Sequence, residues 1–140
     1  MLGWNLAWIR KCYGDTTMYS MNYNFIICSG SISGSSKEYF KLLELMLGTK
    51  EWNSCWDTSM DQPILNWLVW NNLVKKAGIK YELSGCDGGF FTMQWCVLEE
   101  KVLINEHNQV KSIGGNVPAF LHQYNRYPNL SKHLMSICSI

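Results

Sequence analysis

The chain has 140 residues, 47% of them hydrophobic and 16% charged, with seven Trp and seven Tyr. That balance excludes an intrinsically disordered chain and is enough to bury one core. A formal net charge of +1 offers no basic stripe for nucleic acid and leaves a neutral or sugar-like ligand as the better match.

No apolar run approaches the roughly 18 residues that a bilayer span requires. The opening MLGWNLAWIRKC carries its basic residues after the apolar ones, the reverse of a secretory signal. The expectation is a chain with neither a membrane span nor an export signal of its own. Six cysteines, Cys12, Cys28, Cys55, Cys86, Cys96 and Cys138, include no CxxC pair. A zinc ribbon or a thioredoxin motif is therefore not expected, and disulfides stay open. The sequon Asn129-Leu130-Ser131 matters only in a secretory lumen.

In chain order, residues 4–12 read as a short helix ending at Gly14, and NFIIC (24–28) as a short buried strand. The small-residue loop SGSISGSS leads into a helix that Ser35 or Ser36 caps, with Tyr39, Phe40, Leu43, Met46 and Leu47 at helical spacing and Gly48 as the stop. A second helix opens at Asp61, whose carboxylate can cap it, with Pro63 at a position that tolerates proline; it runs to about Lys76, and Gly78 ends it. Its residues Ile64, Leu65, Trp67, Leu68, Val69, Trp70, Leu73 and Val74 are apolar nearly all round and predict burial.

The remainder reads as strands: 79–83, 90–98, 101–105 and 109–113, with NEHN as a hairpin turn, and then PAFLHQY at 118–124. A short C-terminal helix follows from Leu130. The order predicts an α/β chain, a single domain over residues 1–140 that forms the later part of a larger α/β domain.

Several constellations invite a chemical reading. SGSISGSSK (29–37) lacks the GKS or GKT of a nucleotide P-loop, so it is a loop plus helix cap or a loop binding a small ligand at a strand end. Gln62 and Asn66, one helical turn apart, can offer amides to hydroxyl groups. His122 has no second histidine at useful spacing, but one imidazole can supplement carboxylates and phosphates around Mn²⁺ or Mg²⁺. A Cys28–His122 nucleophilic pair is a further option. Trp52, Trp56, Trp67 and Trp70 are candidates for aromatic sugar platforms in a non-catalytic carbohydrate-binding or structural domain, although Trp67 and Trp70 read as core.

Taken in order, WIRKCYG, IICSGSISG, MDQPILNWLVW and LINEHNQVKSIGGNVPAFLHQYNRYPNL resemble a group of eukaryotic proteins with the GT-A glycosyltransferase fold, distantly similar to glycogenin-type nucleotide-sugar transferases. The group's pattern is a CSG strand end, a DQ with an LN downstream, a hairpin, a glycine, and a closing PA-V-HQYDRHP. Order and spacing carry the resemblance, over about Trp8 to Leu130.

The resemblance implies a partial GT-A fold, a mixed sheet with flanking helices. It implies transfer of a sugar from a nucleotide-sugar donor to a hydroxyl of a glycan or protein acceptor, assisted by a divalent cation, Mn²⁺ or Mg²⁺. Asp61 matches the catalytic position that orients sugar or acceptor. Ser29 and Gly30 match the small residues lining the donor sugar, Gln62 and Asn66 fall on the substrate side, and His122 stands where a late metal ligand does. Gln123 and Arg126 lie beside it, near the diphosphate. Asn125 and Tyr127 depart from the group's Asp and His, and no DxD metal motif is present. The resemblance places that motif upstream of Met1, makes this chain the C-terminal portion of a transferase, and puts the full-length parent in the Golgi or secretory lumen.

Overall fold

The structure is a computed structural model that describes residues 3–55, 61–94 and 96–138. It is a mixed α/β chain that divides into two compact units, Met1–Glu82 and Leu83–Ile140. Trp56 lies outside the described residues.

The first unit is helical. Helix α1, Gly3–Met21, is interrupted at Gly14, which adopts φ 81° and ψ 175°; a side chain would strain at that φ, so glycine sets the break. The predicted short helix thus ends where expected, and a further helical stretch follows it. Helix α2, Ser36–Leu47, opens on Ser35, whose hydroxyl accepts the Glu38 N–H at 3.2 Å, and Gly48 closes it. Its buried residues are Leu42 and Met46, whereas Tyr39, Phe40 and Leu47 are exposed. The expected apolar face is therefore rotated, because the stripe that packs is the one following Leu42 at i+3 and i+4.

Helix α3 spans Asp61–Trp70 and buries Pro63, Ile64, Leu65, Asn66, Leu68 and Val69. The single helix expected to reach Lys76 is instead broken at Asn72, which takes a left-handed φ of 59°. Asparagine tolerates that conformation, and at the break the Trp67 carbonyl accepts both the Asn71 N–H at 3.1 Å and the Asn71 side-chain amide at 2.8 Å. The four-residue helix α4, Leu73–Lys76, follows. It stops as predicted at Gly78 (φ 76°), where Gly78 N–H reaches Lys75 C=O at 2.9 Å and Ile79 N–H reaches Val74 C=O at 3.2 Å, the paired bonds of a Schellman stop.

Ile64, Leu65, Leu68, Val69, Val74 and Ile79 form the core of this unit with Leu42 and Met46, and a Cys12–Cys55 disulfide runs through it. Residues 25–28 and 79–83 carry no regular secondary structure and, among the described residues, pair with no strand, contrary to the sequence expectation. An apolar run or alternation marks a segment suited to a strand but cannot supply its partner.

In the second unit, β1 (Phe90–Thr92) pairs in parallel with β4 (Phe120–His122), matching Phe90 to Phe120, Phe91 to Leu121 and Thr92 to His122. Strands β2 (Leu103–Ile104) and β3 (Val110–Lys111) form an antiparallel hairpin. Its turn falls on NEHN as expected: Asn105 Oδ1 accepts the N–H groups of His107 at 3.0 Å and Gln109 at 2.9 Å, and Asn108 sits at φ 59°. Among the described residues these are two small sheets rather than one mixed sheet.

All the strands are shorter than the sequence implied. The predicted strand 90–98 turns after Thr92, where the Tyr127 hydroxyl is shared between the carbonyls of Met93 (2.8 Å) and Val97 (2.7 Å) and a Cys86–Cys96 disulfide holds the return. Glu99–Lys101 is a 3₁₀ turn that delays β2, a Ser112–Gly115 turn shortens β3, and β4 ends at His122 rather than at Tyr124. Helix α5, Pro128–Ile137, begins two residues before the expected Leu130, with Pro128 in its first turn. Glu99, 30 residues upstream, caps it by accepting Asn129 N–H at 2.7 Å and Leu130 N–H at 3.3 Å. Phe91, Met93, Val110, Tyr127 and Leu130 make the core. Among the described residues, no helix is long and apolar enough to cross a membrane.

Candidate functional site

In the first unit, one face of α3 reads the backbone of the extended segment 25–29. Trp70 Nε1 donates to Phe25 C=O at 3.0 Å. Asn66 Oδ1 accepts Ile27 N–H at 2.9 Å while its Nδ2 donates to Ile27 C=O at 2.7 Å. Gln62 Oε1 accepts Ser29 N–H at 3.4 Å. The match is metrical: four helical residues rise about 6.0 Å, and two extended residues about 6.6 Å. Side chains at i, i+4 and i+8 therefore meet alternate residues of the strand.

This ladder answers for residues 24–28 lacking a strand partner, since the helix side chains satisfy the polar groups that a neighbouring strand would have satisfied. Asn66 is 2% exposed, and its Nδ2 also donates to Gln62 C=O at 2.8 Å. Gln62 Nε2 donates to Asn5 Oδ1. Both amides expected to face a sugar are thus bonded within the chain. Asn5, 9% exposed on α1, was not foreseen as part of this cluster; a lone amide in an otherwise apolar opening was the available signal.

Around the ladder, Asp61 is exposed at the first position of α3, Ser29 is half-buried and Gly30 exposed. Four of the anticipated residues, Ser29, Gly30, Asp61 and Gln62, therefore gather where the extended segment leaves the helix. Cys28, beside them, is a half-buried free thiol. The tryptophans proposed as sugar platforms are used otherwise: Trp67 stacks on Tyr13 (centroids 4.8 Å apart, 12° between planes), Trp52 packs on the core, and Trp70 makes the bond above. Burial, followed by the Glu51 carboxylate, pushes the Tyr13 phenol up, with the Thr49 hydroxyl pulling the other way.

In the second unit, β4 delivers His122, and the chain then reverses through Gln123, which takes φ 61°, into the 3₁₀ turn Tyr124–Arg126. Arg126 N–H bonds Gln123 C=O at 3.1 Å. A glutamine in the left-handed region costs on the order of 1 kcal/mol, a local strain in the middle of the polar cluster. His122 and Gln123 are half-buried and Arg126 exposed. Burial lowers the His122 pKa from its ordinary 6.5, so the ring is neutral at neutral pH and presents a lone pair. A shallow cleft of about 420 Å³ lies elsewhere in this unit, among Glu99, Glu100, Val102, Ile104, Asn129 and His133.

Among the described residues, no three His, Cys, Asp or Glu side chains form a group able to hold a metal ion. His122 brings one imidazole donor. No model of a protein family, no curated protein and no solved structure matches the chain.

Proposed function

We propose that this chain is part of a glycosyltransferase of the GT-A fold, transferring a sugar from a nucleotide-sugar donor to a hydroxyl of a glycan or protein acceptor. The observation that carries the reading is the bond from Ser29 N–H to Gln62 Oε1. It joins the CSG turn and the DQ helix start, segments 33 residues apart whose order first raised the resemblance.

In this reading the small side chains at Ser29 and Gly30 leave room for a donor sugar, and the exposed carboxylate of Asp61 orients a hydroxyl by accepting its proton in a hydrogen bond. Gln62 and Asn66 act on substrate through the chain, holding the Ile27–Ser29 backbone. Arg126 offsets diphosphate charge, with Gln123 beside it. His122, kept neutral by burial, offers one ligand to Mn²⁺ or Mg²⁺. The cation would act by neutralising charge on the leaving diphosphate.

A second reading, a non-catalytic carbohydrate-binding or structural domain, is favoured by one specific observation: the amides of Gln62 and Asn66 are bonded to the chain itself. Thermal unfolding with Mn²⁺ plus UDP, and with Mn²⁺ plus GDP, separates the two. A rise in Tm that needs both metal and nucleotide supports the transferase. No rise with either pair favours the non-catalytic domain.

A further inference from the structure

The sequon Asn129-Leu130-Ser131 is the single N-x-S/T triplet in the chain, and its middle residue is not proline. Two disulfides, Cys12–Cys55 and Cys86–Cys96, engage four of the six cysteines. Disulfides form and persist in oxidising compartments, and in a eukaryotic cell the lumen that forms them is also where asparagine-linked sugars are added. We propose that Asn129 is an N-glycosylation site, taking a lipid-borne oligosaccharide on its side-chain nitrogen.

The position suits a bulky substituent. Asn129 is exposed in the first turn of α5, and the fold uses its backbone, not its side chain: the N–H goes to Glu99 Oε1 at 2.7 Å. Among the described residues its side-chain amide has no hydrogen-bond partner, in contrast to Asn66, Asn71 and Asn105, whose amides each hold the chain. Loading those would break bonds; loading Asn129 breaks none. The neighbours fix the site, since Leu130 is 5% exposed and Ser131 N–H bonds Tyr127 C=O at 2.8 Å. A sugar on Asn129 stands at the rim of the cleft that this residue shares with Ile104, which is 40% exposed, and would shield that apolar surface.

The transfer balances without an oxidant. The Asn129 amide nitrogen attacks the anomeric carbon of the first sugar of a lipid-pyrophosphate oligosaccharide. A C–N bond forms, the C–O bond to the pyrophosphate breaks, the amide loses one proton, and the lipid pyrophosphate leaves.

The test is expression of the full chain behind a cleavable signal in eukaryotic secretory cells. N-glycans are then removed by a peptide amidase in heavy-oxygen water, and peptides are mapped. We expect a gel shift that the amidase collapses and a heavy-oxygen label on the peptide containing Asn129. The shift should be lost in both Asn129→Gln and Ser131→Ala and kept in Ser131→Thr. An unlabelled Asn129 in protein whose two disulfides are mapped intact would overturn the proposal. A shift that survives both loss variants, or secreted protein lacking both disulfides, would also overturn it.

Discussion

The side chain of Asn66 pairs with the backbone of Ile27 as a neighbouring strand would, accepting its N–H at 2.9 Å and donating to its carbonyl at 2.7 Å. A third bond, from the same Nδ2 to Gln62 C=O, leaves both amide hydrogens used. One buried residue on α3 thereby ties the helix to the turn that carries Ser29 and Gly30.

Asn66→Ala should therefore destabilise the first unit by about 2–4 kcal/mol, because it strands the Ile27 N–H and carbonyl away from water. Asn66→Asp should not rescue it, since a carboxylate cannot donate to Ile27 C=O and would bring charge into a 2% exposed site. Urea unfolding followed by tryptophan fluorescence, with Trp67 and Trp70 on the same helix, reads this out. A loss below the error of the midpoint would mean that the amide pairing contributes nothing.

Glu99 has two roles that one substitution separates. Glu99→Gln retains an acceptor for Asn129 and Leu130 N–H but removes the charge that favours the helix N-terminus, for a loss of about 0.5–1 kcal/mol; Glu99→Ala removes the cap and should lose about 1–2 kcal/mol. Burial and then the Glu99 carboxylate raise the Tyr127 phenol, so Glu99→Gln should also lower its titration midpoint in an ultraviolet absorbance titration. The raised phenol makes folding favour the protonated form. That stabilisation is complete below the ordinary pKa of 10.0 and is lost as pH rises through the higher folded value.

His122 titrates in the opposite sense. Burial holds its folded pKa below 6.5, so the neutral ring is favoured in the folded chain. That contribution is present above pH 6.5, starts to fall as the unfolded ring takes up its proton near that value, and is lost as pH drops through the lower folded pKa. Ring-proton NMR against pH should give a midpoint below 6.5, and the pH-dependent loss should be absent in His122→Gln. A midpoint at or above 6.5 would remove the argument for a neutral imidazole in this cluster.

The two disulfides should differ in both accessibility and contribution. Cys12 and Cys55 are 7% and 0% exposed, whereas Cys86 and Cys96 are half-buried. Mild dithiol treatment followed by alkylation and mass mapping should therefore open Cys86–Cys96 first. Loop-closure entropy for separations of 43 and 10 residues puts their contributions at about 4 and about 2.7 kcal/mol. The Cys12→Ser/Cys55→Ser pair should thus be the more damaging.

What could be read ahead of the structure was local chemistry. Ser35 as a cap, Gly48 and Gly78 as stops, the burial of α3 and the NEHN turn each depend on residues within a few positions of one another. The strands are shorter than the sequence implies because the alternation at 79–83 and the apolar run at 90–98 describe a pleat and not a partner. Tyr127, some 30 residues downstream, bends the chain after Met93. The disulfide pairing was equally out of reach, since six cysteines allow many connectivities. Asn66 and Gln62 were legible as residues with amides to offer. Whether those amides met a sugar hydroxyl or a peptide 33 to 39 residues away depended on the extended segment before α2.

Amide-resolved NMR during titration with Mn²⁺ and a UDP-sugar tests the transferase reading at the residues that carry it. The account predicts saturable shifts of the Ser29 and Gly30 amides that require metal and nucleotide together. Unmoved Ser29 and Gly30 resonances at millimolar ligand, in a chain whose α3 ladder is intact, would contradict it.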